Sequence, residues 1–118
     1  MQPKNEITTE TRDAATLLRI KGDVTVFSEP FLKEAYLGAT RQGANRILLV
    51  FDKESYINSG GIAVLIQILA EARKRSQVVG ITGLSEHFKK IFNMVGITKF
   101  AKIYGSVEEG LSAMASAG

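Results

Sequence analysis

Three observations in the sequence predict a single α/β domain with a mostly parallel sheet. Short aliphatic runs of strand length alternate with amphipathic segments of helical spacing, as in strands joined by crossover helices. Two alternating runs near the start instead indicate antiparallel strands that form an edge hairpin. The length of 118 residues is usual for one domain. We therefore expect one domain over residues 1–118, with a mixed sheet flanked by about four helices.

The first half of the chain supplies the hairpin, a helix and a central strand. Residues 5–12 alternate weakly and Ala15–Lys21 more clearly, as half-buried strands do. Ser28 is placed to cap a helix that ends near Gly43. The predicted buried residues of this helix are Phe31, Leu32, Ala35, Tyr36 and Ala39. The aliphatic run Arg46–Asp52 then predicts a buried strand.

The second half continues the alternation of helices and strands. A helix is predicted over Ser59–Arg75 and a strand over Gln77–Gly83. Ser85 is placed to cap a short helix, Lys102–Tyr104 is a short strand, and Ser106–Glu109 matches a capping box before the last helix. The residues expected to pack inward in these last two helices are Phe88, Ile91, Phe92, Val95, Leu111 and Met114.

The helix predicted over Ser59–Arg75 has more apolar residues than one face can hold. Its buried face is predicted from residues at helical spacing: Ile62, Leu65, Ile66, Leu69 and Ala72. On this assignment Ile68 lies on the flank and Val64 points away from the core. An exposed apolar residue on that outer face would suit a docking surface, although scattered exposed aliphatic residues are also normal.

Composition excludes several classes of function. With no cysteine and one histidine, the chain has no disulfide, no thiol chemistry and no multi-histidine metal site. The net charge of +3 is small and not gathered into one stripe, so no nucleic-acid partner is expected. No apolar run reaches the ~18 residues of a membrane span, and Met1–Thr11 lacks the features of a targeting peptide. We expect a cytoplasmic protein without a cofactor or metal.

Other charged residues are assigned to the surface. Arg73–Arg75 ends a predicted helix, where cations complement the helix dipole. His87 lies in a first helical turn and is interpreted as a solvated side chain. Asp52 and Glu54 could bind a metal or act as acid and base, but without a third ligand they are interpreted as a solvated loop.

The most informative motif lies where the central strand meets the next helix. The hydroxyl of Ser59 is followed by two glycines, which places it at or next to an N-cap, where backbone N–H groups favour negative charge. Ser59 is therefore either a structural cap or a residue to which phosphate is added. A P-loop is excluded, because Gly60 and Gly61 are not followed by Lys and Ser or Thr. The expected partner-binding surface comprises Asp23, Thr25, Asn58, Ser59, Gly60, Gly61 and Val64. Tyr56 either contacts a partner or covers the loop.

This order of elements resembles the STAS domain family of anti-sigma factor antagonists over nearly the whole chain. The matching segments are Gly22–Thr25, Asn58–Ile62, Phe88–Ile97 and Ile103–Leu111. Two positions differ from the family pattern, which commonly has Asp where this chain has Asn58 and Thr25. Asn58 keeps the capping geometry and removes a carboxylate, and Gly60 leaves Ser59 as the only hydroxyl in the motif core.

The resemblance implies partner switching without enzymatic activity of the chain itself. In that family the unmodified antagonist binds an anti-sigma factor that is also a serine kinase, which frees the sigma factor for transcription. Phosphorylation of a loop serine, here Ser59, breaks the complex, and a PP2C-type phosphatase restores it. The antagonist is expected to be a monomer or weak dimer. The alternative is a STAS-like scaffold, or a module that senses a small anionic ligand, in either case without regulation by phosphorylation.

Overall fold

The computed structural model describes residues 5–116 and confirms the predicted fold class. The strands are β1 (Glu6–Arg12), β2 (Ala15–Lys21), β3 (Arg46–Phe51), β4 (Val78–Thr82) and β5 (Lys102–Ile103). The helices are α1 (Glu29–Arg41), α2 (Ser59–Lys74), α3 (Glu86–Met94) and α4 (Val107–Ala115), and two 3₁₀ turns cover Val26–Ser28 and Ile97–Lys99. The elements confirm the predicted order, with helices and strands that end within one or two residues of the predicted bounds.

The strands form one five-stranded sheet whose spatial order equals the chain order. β1 and β2 are an antiparallel hairpin, and its two turn residues, Asp13 and Ala14, have positive φ angles of 53° and 65°. β2, β3, β4 and β5 run parallel, with Leu18 level with Leu49 and Leu49 level with Ile81. All the parallel strands therefore end at the same edge of the sheet, which is where the Ser59 segment begins.

Both faces of the sheet are covered, which explains the nearly continuous apolar runs of β2 and β3. Alternate residues point to opposite faces, so Leu18 and Leu49 join the large core with α1, α2 and α3. Leu17 and Leu48 point to the other face. There they form a smaller core with Ala15, Leu111 and Met114.

The buried face of α2 differs from the predicted one by about one residue. Its buried residues are Gly61, Val64, Leu65, Ile68, Leu69 and Ala72. This set has regular helical spacing, but it includes a glycine that a hydrophobicity pattern does not count. The outward orientation predicted for Val64 is therefore wrong: its side chain is 3% exposed and belongs to the core.

The helix starts follow the predictions in part. Ser85 Oγ accepts a hydrogen bond from Phe88 N, and Ser106 Oγ accepts one from Glu109 N. Ser28, by contrast, does not cap α1, because its hydroxyl closes the preceding turn instead. Val95 is expected from the sequence to pack inward but is 46% exposed, since it follows the last residue of α3.

Within residues 5–116, no helix has the length and hydrophobicity needed to cross a membrane.

Candidate functional site

Ser59 is the first residue of α2 and its side chain is exposed. The N-cap is Asn58, which has extended backbone angles and whose Oδ1 accepts a hydrogen bond of 2.9 Å from Gly61 N. Ser59 Oγ has no hydrogen-bond partner among the described residues. The N-cap is therefore Asn58, and the Ser59 hydroxyl is exposed without a bond to another described residue.

A short bridge between two loops holds the Ser59 segment in place. Val24 and Ile57 form an isolated parallel β-bridge. Val24 N donates to Tyr56 O at 2.9 Å, and Asn58 N donates to Val24 O at 3.1 Å. The carboxylate of Asp23 adds a third hydrogen bond between the two loops, because its Oδ1 accepts from Tyr56 N at 2.9 Å. The loop after β2 and the loop after β3 therefore form one rigid unit at the carboxyl edge of the sheet.

The two glycines after Ser59 allow α2 to approach this bridge closely. A Cβ atom on Gly61 would lie 2.1 Å from the carbonyl oxygen of Val24, so only glycine fits there. A Cβ on Gly60 would lie 3.2 Å from Val26 Cβ. Gly61 is consequently buried below the surface, while Gly60 lies next to the turn that follows Val24.

The turn that follows Val24 is closed by its own side chains. Thr25 Oγ1 accepts from Phe27 N at 3.1 Å, and Thr25 N donates to Ser28 Oγ at 2.9 Å. Ser28 Oγ in turn donates to Asp23 O at 3.3 Å. This network holds Val26 and Phe27 outward at the tip of the turn.

The structure thus brings most of the predicted surface together. Asp23 and Ser59 are exposed, Thr25, Asn58 and Gly60 are half-buried beside them, and Gly61 supports them from below. Val64 is the exception, because it lies in the core and is not available to a partner in the folded domain.

Sequence reasoning missed part of an apolar surface around Ser59. Val26, Phe27 and Tyr56 are 56%, 52% and 59% exposed, and we call these three residues the apolar collar. The collar residues lie on the two loops that the Val24–Ile57 bridge joins. The available signal was a Val-Phe pair directly after the Gly22–Thr25 turn, in a segment too short for a core strand. Contiguous exposed apolar side chains mark protein-interaction sites more often than isolated ones do.

The start of α2 is also favourable for negative charge. The backbone N–H groups of Ser59 and Gly60 have no acceptor within the helix, because first-turn donors cannot bond to a preceding turn. The dipole of the 16-residue helix adds partial positive charge at the same point. A phosphate attached to Ser59 would therefore meet two free donors.

The other chemical candidates of the sequence remain surface groups. Asp52 Oδ1 accepts from Glu54 N at 3.1 Å, and both side chains are exposed. His87 is exposed, and its ring contacts the edge of Phe88. No group of three or more His, Cys, Asp or Glu side chains placed to hold a metal ion occurs within residues 5–116.

The fold and this site define an α/β domain with a candidate binding surface, in which one edge of the sheet presents the Ser59 hydroxyl beside exposed apolar side chains. The profile of the STAS domain family matches residues 6–110, and the chain therefore belongs to that family. The curated relatives that the chain matches are named anti-sigma-B factor antagonists.

Individual relatives agree with this assignment. The chain is 27% identical over 94 residues to the anti-sigma-B factor antagonist of Bacillus subtilis, a match that covers 80% of this chain and 85% of that protein. An anti-sigma factor antagonist from Mycobacterium paratuberculosis has a similar fold, with a TM-score of 0.78, 14% identity and 92% of each chain covered. The phosphorylated form of the Bacillus cell fate determinant SpoIIAA matches with a TM-score of 0.64 and 16% identity, over 92% of this chain and 99% of that one.

Proposed function

We propose that this protein is an anti-sigma factor antagonist that acts by partner switching at Ser59. In the unmodified form it binds an anti-sigma factor that is also a serine kinase, and phosphorylation of Ser59 releases it. The observation that carries the proposal is the exposed Ser59 hydroxyl, which has no partner among the described residues and lies beside the apolar collar. The site of modification and the binding surface are then the same place.

Binding of the unmodified form would rest on the collar. Aromatic and aliphatic side chains at the centre of an interface supply most of its binding free energy. Phe27 and Tyr56 are the large exposed side chains here, and the hydrogen bonds of the bridged loops hold the segments that carry them in place. Because the loops are already ordered, little conformational entropy is lost when a partner covers them.

Phosphorylation would remove the partner without unfolding the antagonist. A phosphoryl group adds about −1.5 to −2 charges and strong acceptor oxygens. Within the chain, the free N–H groups of Ser59 and Gly60 can donate hydrogen bonds to its oxygens. In a complex the same charge would be forced out of water against apolar groups, close to the carboxylate of Asp23 on the adjoining loop. The expected result is release of the partner from an intact domain.

Asn58 suits this mechanism although the family commonly has Asp there. Its Oδ1 makes the N-cap bond to Gly61 N, as an aspartate would. The neutral amide places no second negative charge next to a phosphorylated Ser59, so the phosphorylated state is less strained electrostatically. Dephosphorylation by a PP2C-type phosphatase, in the cytoplasm, would complete the cycle.

The test is to incubate the purified chain with the anti-sigma kinase of its organism and ATP. Intact mass and peptide mapping should show one phosphate, confined to Ser59 and absent in Ser59→Ala. Modification at another residue, or none under conditions where the kinase modifies its known antagonist, would contradict the proposal. A chain that binds its partner equally well as wild type and as Ser59→Asp would instead be the unregulated scaffold.

A further inference from the structure

A second surface feature lies at the edge of the sheet opposite Ser59. There, where β4 and β5 begin, a cleft of about 360 Å³ opens between Val78, Lys102 and the end of α4. Its volume is within the range of small-molecule sites. Because it lies at the amino ends of the strands, it shares no residue with the collar or with the Ser59 segment.

Positive charge borders this cleft without a neighbouring carboxylate. Lys99 and Lys102 line it, and neither forms an ion pair among the residues that the structure describes. No Asp or Glu belongs to its lining. A third cation is close by, since the guanidinium of Arg73 lies 5.8 Å above the ring of Phe100, which is itself part of the lining.

The two lysines of the cleft do not lie in the last turn of a long helix, unlike Arg73. Arg73 is in the last turn of α2, where a cation offsets the partial negative charge of the helix end. Lys99, however, ends a three-residue 3₁₀ turn and Lys102 begins a strand. Neither lysine therefore offsets the dipole of its own element, although the carboxyl end of α4 reaches the cleft through Ala113 and supplies partial negative charge there.

The remaining lining combines apolar walls with free hydroxyl groups. Phe100, which is half-buried, supplies apolar surface, whereas Val79 lies at the bottom of the cleft and is 8% exposed. The hydroxyls of Thr98 and Tyr104 make no hydrogen bond within the described chain, whereas the Gln77 side chain is fully engaged with Tyr36, Thr40 and Ala44. The free polar groups at the cleft are therefore two ammonium groups and two hydroxyls, next to an aromatic wall.

We propose that this cleft binds a small organic anion, namely a phosphate group carried on a flat apolar ring. The phosphate would lie between Lys99 and Lys102, since charge-assisted hydrogen bonds to phosphate are the strongest that these side chains form. The ring would lie against the exposed part of Phe100. The site is independent of Ser59, so its ligand can bind whether or not the partner-switching edge is occupied.

Phenyl phosphate is the probe, and amide chemical shifts of the full ¹⁵N-labelled chain are the measurement. We expect saturable shifts over residues 98–104 and none at Ser59, with inorganic phosphate and phenol each binding at least tenfold more weakly. The double variant Lys99→Ala/Lys102→Ala should weaken binding of phenyl phosphate at least tenfold, whereas Lys99→Arg/Lys102→Arg should restore it to within about threefold.

The matched control is Lys21→Ala/Lys53→Ala, which removes two exposed lysines at the opposite edge. It should bind phenyl phosphate like the wild type. Equal weakening by the control, equal affinity for inorganic phosphate, or shifts spread over all lysine-rich surfaces would overturn the proposal. Binding of a short single-stranded RNA at least tenfold more tightly than phenyl phosphate would also overturn it, because the cleft would then be part of a nucleic-acid surface. Unchanged far-ultraviolet circular dichroism confirms that the variants are folded.

Discussion

Replacing Gly61 with alanine tests the close approach of α2 to the bridge beneath the site. In a helix alanine is favoured over glycine by about 1 kcal/mol. Here the new Cβ would meet the carbonyl oxygen of Val24 at 2.1 Å and its carbonyl carbon at 2.6 Å. Both are backbone atoms, so relief requires α2 and the bridge to separate. Forced overpacking costs about 1–3 kcal/mol or more. Loosening of the bond from Asn58 N to Val24 O adds about 1 kcal/mol.

The net loss of stability for Gly61→Ala is therefore about 1–3 kcal/mol after the helix gain is subtracted. The matched control is Gly38→Ala in α1, where nothing lies within 4 Å of the new Cβ, so the helix gain of about 0.5–1 kcal/mol is retained. With an unfolding entropy of about 2.1 cal/mol/K per residue, each kcal/mol shifts the Tm of this domain by about 4 °C. Calorimetry should show a fall of about 4–12 °C for Gly61→Ala and a rise of about 2–4 °C for Gly38→Ala. A Gly61→Ala variant as stable as the wild type would refute the close contact.

Further predictions concern the cap, the core and the collar. Asn58→Ala should lose about 1 kcal/mol of unfolding free energy, whereas Ser59→Ala should change it by less than about 0.5 kcal/mol, as measured by urea denaturation. An equal loss for both variants would make Ser59 part of the cap. Val64→Ser should lose about 2 kcal/mol or more, while the neighbouring exposed Ala63→Ser should lose less than about 1 kcal/mol; similar losses would place Val64 on the surface. Phe27→Ser should leave Tm nearly unchanged and weaken partner binding about tenfold or more in surface plasmon resonance, and unchanged affinity would exclude the collar from the interface.

Much of the architecture could be predicted because its signals are local. The run Arg46–Phe51 is buried on both faces of the sheet and therefore reads as a continuous aliphatic strand. The exposure of Ser59 also agrees with a local rule, because the backbone N–H of the first residue of a helix has no acceptor in a preceding turn and is commonly left to solvent.

The errors have a physical cause in tertiary contacts. The buried face of α2 begins with Gly61, which is needed there for steric reasons. A hydrophobicity pattern does not detect this requirement, so the sequence predicts a buried face through Ile62 and Ile66 instead. With that buried face, the side chain of Val64 is wrongly predicted to point outward. The exposure of the collar could not be predicted from the sequence either. The outward position of Phe27 depends on the hydrogen bonds of Thr25 and Ser28 that close the turn.

The affinity of the partner for phosphorylated and unmodified protein tests partner switching most directly. The anti-sigma kinase would be titrated, without ATP, with the chain purified in each form and verified by intact mass. We predict that phosphate on Ser59 weakens binding at least about 100-fold, or about 2.7 kcal/mol, and that Ser59→Ala binds like the unmodified chain after the same kinase treatment. Affinities within twofold of each other for the two forms would contradict the account.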